Sequence, residues 1–271
     1  MLDLYLSNQV ERKNQGLPSL PLNVEQTASL VELLKKDSVQ DSNLLLDLLE
    51  NRVPAGVDQA AFVKAAFLND LAINKAYSPY IDDIYAIQLL GTMLGGYNVQ
   101  SLIALLETNK AELAVKVLAK IILIFDSFYD VEKLHKDGNS YATNLLNLWA
   151  EAEWFTSKNI IPEILKVIIF KADGETNTDD LSPAQDAWSR SDIPLHAKSM
   201  LINKIPNALK IIDKLKSENL PIAFTGDIVG TGSSRKSAIN SLQWHFGHQI
   251  PFIPNKNSGG IILGTKIAPI F

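Results

Sequence analysis

An all-helical first half followed by an α/β second half is the fold class this sequence predicts, and three observations carry it. From residue 1 to about 160, apolar residues recur at helical spacing and the connectors are short. After Lys158, β-branched runs alternate with amphipathic ones, the pattern of strands and helices packed in layers. The change of pattern falls at Ser157 to Pro162, which predicts a helical domain over 1–157 and an α/β domain over 160–271.

In the helical half, Asp58 is placed to cap "QAAFVKAAFLNDLA", where Phe62, Ala65, Ala66 and Leu68 to Leu71 form an apolar stripe. Asp82 or Asp83 opens "IYAIQLLGTML", and Asn109 opens "KAELAVKVLAKIILIF". The run "LAVKVLAKIILIF", Leu113 to Phe125, carries Lys116 and Lys120 and is too short to span a bilayer, so it reads as a buried helix. Further helices are expected around Asp130 to Lys136 and Tyr141 to Phe155, with breakers at "VPAG", "SPY", "GGYN" and "KDGN". A repeat with an offset of about 40 residues aligns "LLDLLENRVPAGVDQAAFV" with "AIQLLGTMLGGYNVQSLIA", the period of HEAT-type helical pairs. Leu48-Leu49 then matches Leu89-Leu90, and Gly56 matches Gly96; an irregular bundle with a chance likeness is the alternative.

In the second half, "ILKVIIFKA" (Ile164 to Ala172) and "LPIAFTGD" read as buried strands. "NALKIIDKLKSEN" is an amphipathic helix with Leu209, Ile212 and Leu215 on one side, and "SSRKSAINSLQWHFG" is a second helix. "IPFIPNK" and "GGIILGTKIAPIF" are strand-like. An α/β domain begun near residue 160 is expected to continue beyond Phe271, so the sequence reads as truncated.

Composition narrows the function. Of 271 residues 46% are hydrophobic and 20% charged, the balance of a globular protein. A net charge of -5 argues against broad electrostatic binding to nucleic acid or anionic lipid. The absence of cysteine removes disulfides, thiolate catalysis and any iron–sulfur cluster ligated from within these residues. The histidines His135, His196, His245 and His248 are scattered; His245 and His248 could share a helix face, but no carboxylate stands at ligand spacing, so no metal site is expected. Surface or helix-end positions are the expectation for them. No basic segment followed by an apolar core opens the chain, so the cytoplasm is the expected compartment.

The stretch "TGDIVGTGSSRKSAIN", Thr225 to Asn240, sets glycines, serines and cations between a strand and a helix, where free N–H groups and the helix dipole favour an anion. It is not a P-loop, because Lys236-Ser237 follows Arg235 and not glycine. Nor is it a dinucleotide fingerprint, because Gly230 and Gly232 lack the third glycine. A carboxylate remains, which an arginine fork matches with two bonds. A second polar loop after a strand holds Asn177, Thr178, Asp179, Asp180, Ser182 and Arg190. Two such loops offer arginines for carboxylates and a serine at a helix N-terminus that could act as a base. The plain reading makes Thr178, Asp179 and Ser233 cap residues and Arg235 a surface charge.

"TNTDDLSPA", "AWSR", "GDIVGTGSSRKSA" and "GGIILGTKIAPIF" closely resemble the swivel domain of the bacterial B-type aconitate hydratases (aconitase 2). "LLDLLENRVP", "LLGTMLGGYN" and "FDSFYDVE" are similar to the HEAT-like domain that opens those enzymes. The resemblance covers essentially the whole chain. It implies isomerisation of citrate to isocitrate through cis-aconitate, in the tricarboxylic acid cycle, at a [4Fe–4S] cluster. By motif position, Ser233 would be the base that removes the carbon-bound proton. Ser233, Ser234 and Arg235 would bind substrate, and Arg190 would clamp a carboxylate. Asp179 and Ser182 occupy the family's substrate-binding "TDHIS" loop, with Asp180 where many relatives have histidine. The cluster cysteines of the family lie on further domains, which implies that this chain binds no cluster and is inactive alone. The resemblance also implies a homodimer through the helical domain. Competing readings are a protein- or mRNA-binding helical module, as in the iron-free enzyme, and the separate swivel-like subunit of isopropylmalate isomerase, against which the helical half argues.

Overall fold

In the computed structural model, residues 2–152, 156–157, 162–269 and 271 are described. The order is α followed by α/β: among the described residues every strand lies at or beyond Ile168. Contacts group the chain into two units, one of Met1–Leu6, Leu20–Ile161 and Phe252–Pro254, the other of Ser7–Ser19, Pro162–Pro251 and Asn255–Phe271.

The first unit holds helices α2 (Val24–Leu34), α3 (Ser42–Asn51), α4 (Gln59–Ala72), α5 (Asp83–Gly91), α6 (Val99–Ala104), α7 (Ala111–Leu118), α8 (Ser127–Lys136) and α9 (Ser140–Glu151). Each of α2, α4, α5 and α9 begins at a polar residue whose side chain accepts from a first-turn N–H: Asn23, Asp58, Asp82 and Asn139. α4 packs against α2 and α5, α5 against α7, and α7 against α9. Leu48, Leu49, Leu89 and Leu90, the leucines of the aligned segments, all lie in one core. Their loops also meet, since Leu94 N–H donates to Ala55 O at 2.9 Å.

Several sequence expectations shift. The buried face of α4 comprises Ala60, Ala61, Lys64, Ala65, Phe67, Leu68, Leu71 and Ala72, while Phe62 is exposed against the Tyr97 ring. A lysine therefore takes a core position, its stem among apolar side chains and its Nζ 3.4 Å from Glu50 O. Burial, opposed by the charge of Glu50, lowers the Lys64 pKa to about 8. Lys110, not Asn109, precedes α7, without a side-chain cap. The expected buried helix through Phe125 ends at Leu118, and Ile122, Leu123 and Phe125 are exposed. α9 ends at Glu151, and residues 153–155 of the expected helix lie outside the described residues.

The second unit is built on β1 (Ile168–Asn177), β2 (Ile222–Thr231) and β5 (Ile261–Ile267), all parallel in the order β1-β2-β5. The first strand starts four residues later than "ILKVIIFKA" suggests and runs on into the polar segment. "IPFIPNK", expected to be strand-like, forms turns; only the residues on either side of it pair, in a short ladder of β3 (His248–Gln249) with β4 (Asn257–Ser258). Phe170, Phe224 and Phe246 pack at 5.8–6.0 Å between ring centroids and anchor the core beneath α12 (Ala208–Lys216) and α13 (Arg235–Phe246). Two short helices lie between β1 and α12: α10 (Thr178–Leu181) and α11 (Ile193–His196). The Ser7–Ser19 segment, which includes most of α1 (Leu2–Asn14), is fastened to this unit. Arg12 makes a bidentate pair with Asp192 at 2.5 and 3.1 Å, and Lys198 Nζ donates to Gln15 O.

Candidate active site

Parallel pairing places Asn177 opposite Thr231, so the polar loops after β1 and β2 leave the sheet side by side at its carboxyl edge. Gly232 has φ +107°, and a Cβ there would run into Thr178 Oγ1. Glycine thus serves both a left-handed backbone and the close approach of the two loops.

The first loop is held by local hydrogen bonds. Asn177 and Asp180 form a reciprocal capping box at α10. Asp180 is engaged in that box and in a 3.5 Å ion pair with Lys204. The Asp179 carboxylate accepts from Ala184 N–H at 2.7 Å. Ser182 is fully buried, its Oγ 2.7 Å from both His196 Nε2 and Ser237 Oγ. Arg190 Nη2 donates to Ser182 O at 3.3 Å and to Ser234 Oγ at 3.2 Å, and its buried Nε has no partner among the described residues.

The second loop opens α13. Ser234 holds the cap position without a side-chain bond to the turn, which leaves first-turn N–H groups without a side-chain cap among the described residues. Ser233 is exposed and its hydroxyl makes no hydrogen bond among the described residues, which leaves no support for a capping role. Arg190, Ser233, Ser234, Arg235 and Lys236 line one open pocket of about 500 Å³ with Ser191, Ser237 and Asn240. Three cations and no carboxylate face this space, and Arg235 and Lys236 have no anionic partner among the described residues. The pocket is built for an anion.

Four of the six site residues named from the sequence, Arg190, Ser233, Ser234 and Arg235, therefore meet. Asp179 and Ser182 do not line the pocket: the first faces Ala184, the second lies behind Ser237. Ser237 and Asn240 went unnoticed, although they follow Ser233 and Ser234 at helical spacing on the same face. His196 and His245 sit in the last turns of α11 and α13, at helix ends as expected, but neither is a surface group: both are buried. Burial first, then the Arg190 charge, holds His196 below the usual imidazole value. His248 lies on β3, beyond the helix that carries His245.

A [4Fe–4S] cluster finds no fit here. The sequence has no cysteine, and among the described residues no group of three metal-ligating side chains comes together.

Residues 4–155 match the family described as Aconitate B N-terminal domain, and residues 167–271 the one described as Aconitate hydratase 2 N-terminus. By class these are parts of hydro-lyases. The chain belongs to the aconitate hydratase B family. It is 53% identical over 274 residues to Aconitate hydratase B of Synechocystis sp., 51% over 282 residues to that of Escherichia coli, and 50% over 273 residues to that of Helicobacter pylori. Each comparison takes in 100% of this chain and 32–33% of the relative, so the chain spans about a third of their length. None of its described helices is long and apolar enough to cross a membrane.

Proposed function

We propose that this chain supplies the serine and arginine side of an aconitate hydratase active site, which isomerises citrate to isocitrate through cis-aconitate. The observation that carries the reading is the unpartnered Ser233 hydroxyl on a pocket lined by Arg190, Arg235 and Lys236. Arg190 and Arg235 bind substrate carboxylates through their forks, and Ser234 adds a hydroxyl. Ser233 Oγ removes the proton from the carbon beside a carboxylate. The surrounding cations and the positive end of α13 favour the alkoxide this needs. Asp179 and Ser182 are assigned to substrate binding by family position, Ser182 acting from behind Ser237.

In this reading residues 1–157 are the HEAT-like domain and 160–271 the swivel domain of a longer cytoplasmic enzyme of the tricarboxylic acid cycle. Its [4Fe–4S] cluster is held by other parts of the polypeptide, and the 271-residue chain has no turnover by itself. The helical domain serves as a dimer surface, for which the exposed Phe125, Phe128 and Tyr129 speak. A net charge of -5 makes mRNA the weaker partner.

Ser233→Ala in the complete enzyme tests the assignment. Loss of a general base lowers kcat by about 10²- to 10⁴-fold with little change in affinity. Arg190→Lys and Arg235→Lys raise KM as well, because lysine cannot make the fork. A Ser233→Ala enzyme that turns over citrate at close to the normal rate would overturn the reading.

A further inference from the structure

His196 is 2% exposed, does not line the pocket, and yet sits at the centre of the hydrogen bonds behind it. Its Nε2 lies 2.7 Å from Ser182 Oγ, which lies 2.7 Å from Ser237 Oγ in the first turn of α13. Its Nδ1 lies 2.9 Å from Ser189 Oγ and 3.2 Å from Asp186 O. Hydroxyl protons could run either way along such a chain, and one group sets the direction. The Asp186 carbonyl can only accept, so Nδ1 must carry the proton. Ser189 donates its own proton to the same carbonyl at 2.7 Å, which leaves its oxygen to accept from Nδ1–H. Nε2 is therefore the unprotonated nitrogen, and Ser182 O–H donates to it. Ser182 Oγ is then left to accept from Ser237 O–H at 2.7 Å, a closer acceptor for that hydroxyl than Ser234 O at 3.1 Å.

Ser182 thus holds both walls of the pocket. Its hydroxyl fixes the start of α13, and its carbonyl takes Arg190 Nη2 at 3.3 Å. His196 fixes Ser182. We propose that His196 is a positioning residue that sets the distance between Arg190 and the Ser233–Arg235 turn, and hence the fit of the pocket to an anion with more than one carboxylate. The inference rests on the aconitate hydratase reading above. It adds a residue that touches no substrate and that neither the sequence motifs nor the pocket lining single out.

The test uses the complete enzyme and isocitrate, read as formation of cis-aconitate. His196→Leu removes the acceptor; His196→Gln places an amide oxygen close to where Nε2 stood. A group displaced by about an ångström loses on the order of tenfold to a hundredfold. His196→Leu is expected to raise KM by about tenfold or more, with a smaller fall in kcat, and His196→Gln is expected to recover most of the loss. A purely structural histidine would lower the melting temperature of both variants and leave KM alone, and that result overturns the proposal. Should His196→Leu not fold, His196→Gln and Ser182→Ala still decide it: a normal KM in Ser182→Ala sinks the idea. Ser233→Ala runs beside them as the control. If Ser233→Ala is fully active, the site reading fails; if it is inactive while His196→Leu keeps a normal KM, only the positioning role fails. Nitrogen-15 shifts of His196 in the chain itself give a second readout. A proton on Nε2 instead of Nδ1 contradicts the derived chain of hydrogen bonds whatever the kinetics say.

Discussion

Acidification should destabilise the α/β unit through one histidine. His245, on the buried face of α13, uses Nε2–H to donate to Ala197 O at 2.9 Å, while its buried Nδ1 has no partner among the described residues. A second proton would put an N–H where no acceptor waits. Desolvation therefore dominates and lowers the pKa from 6.5 to about 4, with the Lys216 charge acting the same way and Asp213 and the Ala197 carbonyl opposing. The folded state keeps His245 neutral, whereas the unfolded chain takes up a proton below about 6.5. The contribution is complete above pH 6.5 and is lost as pH falls toward 4. That interval, at roughly 1.4 kcal/mol per pH unit, amounts to about 3 kcal/mol. His245→Gln keeps a donor for Ala197 O and removes the titration. Native-state hydrogen exchange of the β2 amides, compared between the two proteins at pH 7.5 and 4.5, reads the unit alone. The wild type should lose about 2–3 kcal/mol more protection than the variant over that range, because shared carboxylate effects cancel in the comparison. Parallel losses in the two proteins would refute the argument.

Lys64 gives the opposite substitution. It carries a charge in the helical core at neutral pH, so Lys64→Met should stabilise that unit by about 1–3 kcal/mol. The gain should shrink as pH rises from 8 toward 10.5, where only the unfolded chain still binds the proton; thermal melts at pH 7 and 10 check it, and a less stable variant at both would count against it. Gly232→Ala should cost about 1–3 kcal/mol and, under the function proposed above, weaken citrate binding by the complete enzyme, since both its φ and its contact with Thr178 are violated. Adding Thr178→Gly should restore the part due to contact and not the part due to φ; full recovery or none, by denaturant melts, would mean that only one term operates. In the complete enzyme the Ser233→Ala and Arg190→Lys variants should separate kcat from KM as set out above.

Helical periodicity and β-branched runs were enough to predict helices first and an α/β sheet after them, because each records which face of a segment is hidden from water. The glycine-serine-arginine turn was legible too, since glycine before a helix and unpaired cations are local features, and the family motifs placed Arg190 beside it. What escaped the sequence was decided by contacts across long separations. The buried side of α4 could not be read because a lysine occupies it, and only the neighbouring helices and Glu50 make that place tolerable. The helix expected through Phe125 stops at Leu118 although its apolar run continues. Ser182 is as polar as Ser233 on paper, yet one is buried against His196 and Ser237 while the other faces open space. Sequence fixes which residues can hydrogen-bond, capture an anion or hide from water. Which of them do so depends on partners dozens of positions away, such as Arg190 on Ser234 or Ala197 on His245, and those distances exist only once the sheet and its helices have closed around them.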